Sequence, residues 1–283
     1  MKLLDGKMVA QNRRQNLQKQ IATNLSQGKR HPKLVVIMVG HNEASEVYVK
    51  HKIKAAKEVG IVGEVHHFAS DVEPNELYQA IETLNNDSEV DGILLQLPLP
   101  PKFNEEDYLQ AIAPHKDVDG FHYQNQGRLL QGYETIAPCT PLGVINLLDS
   151  YEIPIKGQNV TIIGTSNIVG KPLGIMLLNL GATVTFCNRN TKDLKMMAQT
   201  ADILVSGTGQ QFIITGDMVK LGSVVIDIGI IRNPKTNRLV GDVDFEAVAP
   251  KTSYITPVPG GVGPMTVVTL LENTYKLYLQ HLS

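Results

Sequence analysis

The sequence predicts an α/β fold of two domains, and three observations support this prediction. Apolar runs typical of buried parallel strands alternate with helix-forming segments along most of the chain. Near residue 140 two prolines interrupt this alternation, and a second series of strands and helices begins after them. In the second series each strand ends in a loop with Gly, Ser or Asn, which is typical of a Rossmann-type nucleotide-binding domain.

Length and composition agree with this prediction. The chain has 283 residues, which is long enough for two domains or one large one, and its 42% hydrophobic and 19% charged residues are as expected of a globular protein. The net charge of −2 gives no reason to expect a nucleic acid or a membrane as partner. No apolar run is long enough to span a membrane, the N-terminus does not resemble a secretory signal, and the two cysteines match no zinc or redox spacing. We therefore expect a cytoplasmic protein.

The first half of the chain is predicted to alternate helices and strands around a parallel sheet. Residues 7–27 space their apolar side chains as in a helix, which ends at Gly28. Strands are predicted at 34–39, 62–68 and 92–97, and helices from about residue 43 to Gly60 and at 74–84.

The helix that follows the strand 34–39 has an unusual inward face. An arc of about 100° on this helix carries Ser45, Tyr48, Lys52, Ala55, Ala56 and Val59. The opposite side carries Lys50, Lys54 and Lys57, as expected of a solvated face. Lys52 either extends to solvent or lies in a cleft beside Tyr48. In a cleft, partial burial would favour the uncharged amine, which is the form that acts as a general base.

Two further polar positions follow in the first half. Gln96 is the polar residue of the run 92–97 and lies where open α/β sheets bind ligands, although it could also be an edge residue that meets solvent. The loop 115–122 contains His and Asp residues, but no second cluster completes a ligand set, so we expect no metal. Within this loop, Asp119 is either part of a turn or a carboxylate that binds a ligand.

The second half contains the candidate nucleotide site. Pro138 and Pro141 form a predicted hinge before a helix at 142–151. A strand at 159–163 then leads into the loop Gly164–Gly170, and Pro172 stands in the first turn of the next helix. Such a loop presents backbone N–H groups to phosphate, although it is not the standard G-x-G-x-x-G pattern. Further strands are predicted at 182–187, 203–206 and 224–228.

The end of the second strand in this half indicates which nucleotide binds. NAD-specific domains place an acidic residue near the ribose hydroxyls, whereas this chain has Arg189 and no acid there. This favours NADP, although NAD is possible and Arg189 could be a solvated surface residue. The segment 256–266 contains three glycines and three prolines and is predicted to be irregular. A final helix at 267–282 is predicted to pack back on the first domain.

Taken together, these segments resemble the bifunctional methylenetetrahydrofolate dehydrogenase/methenyltetrahydrofolate cyclohydrolase family over nearly the whole chain. The resemblance rests on Ala44-Ser45-x-x-Tyr48-Val49-x-x-Lys52-x-Lys54, Gly92-Ile93-Leu94-Leu95-Gln96-Leu97-Pro98-Leu99-Pro100, Lys116-Asp117-Val118-Asp119-Gly120-Phe121, Pro138-Cys139-Thr140-Pro141, Ile168-Val169-Gly170-x-Pro172 and Pro259-Gly260-Gly261-Val262-Gly263-Pro264-Met265-Thr266.

The resemblance implies a homodimeric enzyme whose two domains enclose a folate cleft. Residues 1–140 and 266–283 would form the catalytic, folate-binding domain, and residues 141–265 the Rossmann-type NADP-binding domain. The enzyme would oxidise 5,10-methylenetetrahydrofolate with NADP and hydrolyse the product to 10-formyltetrahydrofolate. By the same resemblance, Lys52 is the catalytic lysine, Gln96 its partner, Tyr48 the residue that stacks on the pterin, and Asp119 the residue that holds the pterin's amino edge.

The remaining candidates for binding follow from the same motifs. The substrate-binding candidates are Ser45, Tyr48, Asp119, Pro259, Gly260 and Gly261. The cofactor-binding candidates are Gly164, Thr165, Ser166, Ile168, Gly170, Arg189, Gly207 and Ile230. In this family the glycine loop usually reads Gly-Arg-Ser, and its arginine contacts the 2′-phosphate of NADP. Thr165 replaces that arginine here, which leaves Arg189 as the candidate for the contact.

Two other functions are compatible with this fold. A dehydrogenase without the hydrolytic step would share the fold, but nothing in Tyr48, Lys52 or Gln96 indicates such a loss. A nucleotide sensor without catalysis would need no base in its cleft, so the set of Lys52, Gln96 and Asp119 argues against it.

Overall fold

The computed structural model describes residues 1–234 and 236–282. Its strands are β1 (Lys2–Leu3), β2 (Lys33–Val39), β3 (Val62–Phe68), β4 (Gly92–Leu95), β5 (Asn159–Ile163), β6 (Thr183–Cys187), β7 (Ile203–Ser206), β8 (Val224–Asp227), β9 (Ile231–Arg232), β10 (Leu239–Val240) and β11 (Tyr254–Ile255). Its helices are α1 (Gly6–Ser26), α2 (Glu43–Val59), α3 (Pro74–Asn86), α4 (Glu105–Ala111), α5 (Tyr123–Leu130), α6 (Cys139–Ser150), α7 (Gly170–Asn179), α8 (Leu194–Gln199), α9 (Phe245–Val248) and α10 (Val262–His281). Among these described residues, no helix combines the length and the apolar character needed to cross a membrane.

The chain divides into two compact α/β units, as the sequence predicts. The three-stranded unit comprises Asn12–Arg128, Glu134–Cys139 and residues from Val267 onward, and the six-stranded unit comprises Met1–Gln11, Leu129–Tyr133 and Thr140–Thr266. Met1–Gln11 belong to the six-stranded unit because β1 pairs in parallel with β11.

The three-stranded unit is built on a parallel sheet in the order β3-β2-β4. Every residue of β2 after Lys33 is buried, so the strand reads as a continuous apolar run. Alternate side chains of β2 enter two cores. Leu34, Val36 and Met38 pack with α1, α2 and α10, and Val35, Ile37 and Val39 pack with α3 and its neighbours. The return of the last helix to the first domain is thereby confirmed.

The six-stranded unit contains a parallel sheet in the order β1-β11-β8-β7-β5-β6. The four strands predicted in this half are β5, β6, β7 and β8, and their carboxyl ends lie at one edge of the sheet. The sequence does not indicate β1 and β11, because each contains only two residues and shows no period. A short antiparallel pair, β9 and β10, follows the loop after β8.

Several element boundaries differ from the prediction, and three of them bear on the site. The strand predicted at 92–97 ends at Leu95, since the chain turns away from the ladder after Gln96 donates its backbone N–H to Ile37 O at 2.8 Å. Helix α6 begins at Cys139 and α10 at Val262, so the prediction of an irregular segment through residue 266 is wrong for its last five residues. In both helices prolines occupy the first turn, where the N–H groups have no acceptor within the helix.

Candidate active site

Helix α2 carries three of the predicted site residues on one face. The helix begins after Asn42, whose side chain accepts the Ser45 backbone N–H at 3.0 Å, and it ends at Gly60 in the left-handed conformation (φ 92°). Ser45, Tyr48 and Lys52 are three or four residues apart and therefore lie one above another. Ser45 is buried, and the lysines of the opposite side are exposed: Lys50, Lys54 and Lys57.

Lys52 is half-buried and makes a direct hydrogen bond with Gln96. Its Nζ donates to Gln96 Oε1 at 3.0 Å. The Gln96 side chain donates its Nε2 to the Leu97 carbonyl oxygen at 2.6 Å, which turns the amide oxygen towards the lysine. Gln96 follows β4 directly, so the pair lies at the carboxyl end of the sheet, where open α/β folds bind ligands.

Tyr48 provides the second functional group of this face. The Lys52 Nζ lies 6.0 Å from the centre of the Tyr48 ring, within the range of a cation–π contact. The tyrosine remains 39% exposed, so its ring is available to a flat ligand. Partial burial raises the pKa of Tyr48, and the hydroxyl therefore stays protonated at neutral pH as a hydrogen-bond donor.

Asp119 belongs to the same unit and interacts electrostatically with Lys52. Burial raises the pKa of the Asp119 carboxyl, and the positive charge of Lys52 opposes that rise. The nearby Asp117 carboxylate raises the pKa of Asp119 further. Asp119 is thus a carboxyl group that interacts with the lysine of the site and ionises less readily than an ordinary aspartate.

The loop that holds Asp119 is stabilised on both sides. The Asp117 carboxylate accepts the His122 backbone N–H at 2.8 Å and the Asn125 side-chain amide at 3.0 Å. Gly120 has φ +67°, and a Cβ there would lie 2.7 Å from the Ile136 carbonyl oxygen. In the part of the chain that the structure describes, no three His, Cys, Asp or Glu side chains are grouped so as to hold a metal ion.

Two supporting residues were not identified from the sequence. The pKa of the Cys139 thiol lies well above its usual range, mainly because the thiol is buried and secondly because of the negative charge of Asp119. The thiol is therefore a neutral hydrogen-bond donor. The Cys139 thiol donates to the Val118 carbonyl oxygen at 3.3 Å, and Asn273 donates to the same oxygen at 2.9 Å. The sequence contains one signal for Asn273. It is a polar residue within an apolar helix, and a buried amide needs hydrogen-bond partners.

The predicted nucleotide loop of the six-stranded unit connects β5 to α7. Gly164 has φ +103°, a conformation that favours glycine. A Cβ on Gly170 would collide with the Gly164 carbonyl oxygen, so the start of the helix lies directly against the end of the strand. Ser166 is exposed and its hydroxyl accepts the Val169 backbone N–H at 3.2 Å, and Thr165 and Ile168 are half-buried. This glycine cradle at a helix N-terminus fits a bound pyrophosphate.

The other cofactor candidates lie at the ends of the neighbouring strands. Gly164 donates its N–H to the Cys187 carbonyl oxygen at 2.9 Å, which places the glycine loop next to the end of β6. Arg189 follows two residues later, is exposed, and makes no ion pair within residues 1–234 and 236–282. Gly207 follows β7 and donates to the Ile163 carbonyl oxygen at 2.8 Å, and Ile230 follows β8 and is 44% exposed.

The predicted substrate residues of the Pro-Gly-Gly segment lie in the six-stranded unit. The Gly260 carbonyl oxygen accepts the Lys7 backbone N–H at 3.0 Å, and Gly261 donates to the Pro257 carbonyl oxygen at 2.9 Å. Gly260 has φ +111°, and a Cβ on Gly261 would lie 2.7 Å from the Pro257 carbonyl oxygen. The backbone conformation of this segment therefore requires glycine at positions 260 and 261.

Comparison with known proteins gives consistent results over the whole chain. Residues 4–119 match the family of the tetrahydrofolate dehydrogenase/cyclohydrolase catalytic domain, and residues 138–282 match the NAD(P)-binding domain of the same name. A bifunctional protein FolD of Mesoplasma florum is 63% identical over 283 residues, which cover 100% of this chain and 99% of that protein.

Solved structures show the same similarity. The crystal structure of a bifunctional FolD dehydrogenase/cyclohydrolase of Campylobacter jejuni has a TM-score of 0.97 and 48% identity, with 99% of each chain covered. A FolD of Trypanosoma brucei, complexed with NADP and an inhibitor, has a TM-score of 0.94 and 35% identity, with 98% of this chain and 97% of that chain covered.

Proposed function

The chain belongs to the tetrahydrofolate dehydrogenase/cyclohydrolase family, and from this premise we propose which residues carry out its chemistry. The enzyme oxidises 5,10-methylenetetrahydrofolate to 5,10-methenyltetrahydrofolate with NADP, and it hydrolyses that product to 10-formyltetrahydrofolate. The observation that carries the assignment of roles is the hydrogen bond from Lys52 to Gln96 at the carboxyl end of the sheet, beside Tyr48.

Removal of hydride from the methylene carbon leaves a methenyl bridge with a delocalised positive charge. A second cation close to this bridge would be unfavourable, because Coulomb interactions are strong where water is excluded. Hydride transfer therefore requires the uncharged form of the Lys52 amine, and the neutral amide of Gln96 holds the amine without adding charge. When bound, NADP accepts the hydride.

Hydrolysis uses the same amine as a proton carrier. Water adds to the methenyl carbon, and the bond from that carbon to N5 breaks to give the 10-formyl product. Lys52 takes one proton from the attacking water and returns it to the departing nitrogen, and the second water proton is released to solvent as the formyl carbonyl forms. Gln96 fixes the amine for this transfer through its amide oxygen. One lysine serves both reactions because both require an uncharged amine at the bridge carbon.

The substrate is positioned by groups around Lys52. The exposed ring of Tyr48 stacks on the pterin, and Ser45 supports the same helix face one turn earlier. Asp119 accepts hydrogen bonds from the amino edge of the pterin, which are strong when the carboxyl is ionised. Pro259, Gly260 and Gly261 contact the substrate through their backbone. Fixing the ring in this way orients the bridge carbon for reaction.

Folate and NADP bind to different domains. Residues 1–140 and 266–283 bind folate, and residues 141–265 bind NADP; the two compact units support this division except at Met1–Gln11, Leu129–Tyr133, Thr140 and Thr266, which belong to the six-stranded unit. The nucleotide is held by residues at the carboxyl ends of β5, β6, β7 and β8, namely Gly164, Thr165, Ser166, Ile168, Gly170, Arg189, Gly207 and Ile230. The cysteines Cys139 and Cys187 are free and buried, which suits a reducing cytosol.

The absorbance of 5,10-methenyltetrahydrofolate tests the proposed function. With 5,10-methylenetetrahydrofolate and NADP, the wild-type enzyme is expected to form this compound and then consume it. Formation without consumption would identify a dehydrogenase that lacks hydrolysis, and neither process would occur in a nucleotide sensor. The same assay with NAD in place of NADP measures the cofactor preference.

We predict that Arg189→Ala raises the KM for NADP and leaves the KM for NAD nearly unchanged. The guanidinium is exposed at the end of β6, where the adenine ribose lies in Rossmann domains, and it can form a bidentate pair with the 2′-phosphate. Loss of one charge-assisted pair corresponds to roughly tenfold in KM. The measurement is the ratio of the two KM values in wild type and variant.

Two variants control this experiment. Lys192→Ala removes another exposed cation from the same loop and is expected to leave the ratio unchanged. Thr165→Arg restores the usual arginine of the glycine loop and is expected to increase the preference for NADP. If Arg189→Ala leaves the ratio of the two KM values as in wild type, another residue recognises the phosphate.

The enzyme is a homodimer that assembles through the free edge of β3. Among residues 1–234 and 236–282, this strand pairs with β2 alone, whereas β4 on the other edge also forms an isolated bridge from Ile93 to Asp117. Val62 and Val65 of β3 are 48% and 40% exposed. An edge strand with unpaired backbone groups and two exposed valines favours pairing with an identical strand about a two-fold axis.

Val65→Lys is therefore expected to convert the dimer into a monomer, because it places a charge on this edge. Light scattering during size-exclusion chromatography measures the mass. Leu221→Lys is the matched control, since Leu221 is 81% exposed in the six-stranded unit and lies outside β3. If Val65→Lys stays dimeric, the dimer interface does not include this edge of β3.

A further inference from the structure

A buried aspartate connects two loops that are proposed to bind the nucleotide. These loops follow β7 and β8 and contain Gly207 and Ile230. Asp242 is fully buried and follows β10. Its Oδ2 accepts the Ser206 hydroxyl at 2.8 Å, the Thr208 backbone N–H at 2.6 Å and the Thr208 hydroxyl at 2.9 Å. All three donors belong to the end of β7 and the loop that contains Gly207. One oxygen of Asp242 thus determines the path of this loop.

The same residue also fixes the loop after β8. The Asp242 backbone N–H donates to Asp227 Oδ1 at 3.0 Å, and this oxygen also accepts the Gly229 N–H at 2.9 Å. A Cβ on Gly229 would collide with Asp242 Oδ1, so the backbone that leads into Ile230 lies directly against the carboxylate. Asp242 therefore joins the two loops: its side chain holds the loop that contains Gly207, and its backbone, through the Asp227 carboxyl, holds the loop that leads into Ile230.

This arrangement carries a cost that packing alone does not explain. Asp242 Oδ1 is buried and has no hydrogen-bond partner among the described residues. The neighbouring Asp227 is also buried, and burial raises the pKa of Asp227 to about 6. Two adjacent buried carboxyl groups destabilise a fold unless they are well paired, and such groups occur more often where a site must be held in one geometry.

We propose that Asp242 is a positioning residue for the nicotinamide nucleotide, which acts through the backbone of the Gly207 and Ile230 loops. The inference rests on the proposed NADP-binding role of these loops. Asp242 itself does not contact the reacting atoms. It sets the separation of two loops that both border the nucleotide, so the loss of its acceptor oxygen weakens nucleotide binding and leaves the folate chemistry of the three-stranded unit intact.

The test compares Asp242→Ala with Asp242→Asn in the full-length enzyme. The alanine variant loses the acceptor of three hydrogen bonds, and we expect its Kd for NADP, measured by calorimetry, to rise on the order of tenfold or more. The asparagine variant keeps an acceptor oxygen at the Oδ2 position, and we expect it to recover most of the affinity. Hydrogen exchange of the Thr208 amide, which donates to Asp242 Oδ2, should be faster in the alanine variant than in the asparagine variant.

A bifunctional enzyme provides its own internal control. Hydrolysis of added 5,10-methenyltetrahydrofolate needs no NADP, so its rate should be unchanged in both variants, whereas the KM for NADP rises more than kcat falls. Asp244→Ala removes the same charge two residues away and loses a helix cap, yet contacts neither loop, so it should bind NADP as wild type does. If Asp242→Ala does not fold, Thr208→Val removes one of the three donors and should raise the Kd about threefold.

The outcomes separate this inference from the proposed function. A wild-type enzyme that binds no NADP contradicts the proposed function itself. If the wild type binds NADP and Asp242→Ala binds it equally well, or if Thr208→Val does so when the alanine variant is unfolded, the positioning role is wrong. A decrease of both activities by the same factor, with the KM for NADP unchanged, also contradicts it, since Asp242 would then only stabilise the fold.

Discussion

Replacement of Lys52 by Met is expected to reduce hydrolysis of 5,10-methenyltetrahydrofolate by a factor of about 100 to 10,000, the usual contribution of a general acid–base group. Methionine preserves the length of the side chain and its packing in α2 but cannot carry a proton. The dehydrogenase reaction should fall less, because it depends on the position of the bridge carbon more than on proton transfer. Absorbance at the methenyl band measures both rates on one enzyme sample.

Lys54→Met is the matched control for this experiment. Lys54 lies two residues further along the same helix, is exposed on its opposite side, and should tolerate the change without loss of either activity. Circular dichroism of both variants establishes that the fold is retained. Equal retention of both activities in Lys52→Met would show that another group moves the proton.

Replacement of Asp119 by Ala is expected to weaken binding of the folate substrate about tenfold or more and to leave the Kd for NADP nearly unchanged. A hydrogen bond to a charged group contributes roughly 1.5–3 kcal/mol, and the pterin edge loses its acceptor. Asp119→Asn retains one acceptor oxygen and should show a smaller loss. If NADP binding fell and folate binding did not, Asp119 would belong to a different pocket.

The same carboxyl should make folate binding sensitive to acid. Burial raises the pKa of Asp119, so the group takes up a proton at a higher pH than an ordinary aspartate, whose pKa is about 3.9. Folate affinity is therefore expected to be full well above the folded-state pKa and to fall as the pH drops through it. The Asp119→Asn variant cannot titrate at this position and should lose this part of the pH dependence, which substrate titrations at several pH values would measure.

Much of the fold could be read from local patterns in the sequence. The continuous apolar run of β2 predicts a buried parallel strand because both faces of that strand are covered. A helix places residues three and four apart on one face, so the sequence of α2 predicts that Lys52 lies on a different face from the solvated lysines. These features depend on neighbours within a few residues, and the motif resemblance adds the expected roles of Gln96 and Asp119.

Tertiary structure alone decided which distant groups meet. Strands β1 and β11 contain two residues each, and only their pairing makes them part of the sheet. The neutral thiol of Cys139 and the amide of Asn273 converge on the Val118 carbonyl oxygen from segments more than 100 residues apart. Asp242 likewise reaches Ser206 across 36 residues. Such contacts depend on the register and packing of separate elements, which the alternation of polar and apolar residues within one element does not encode.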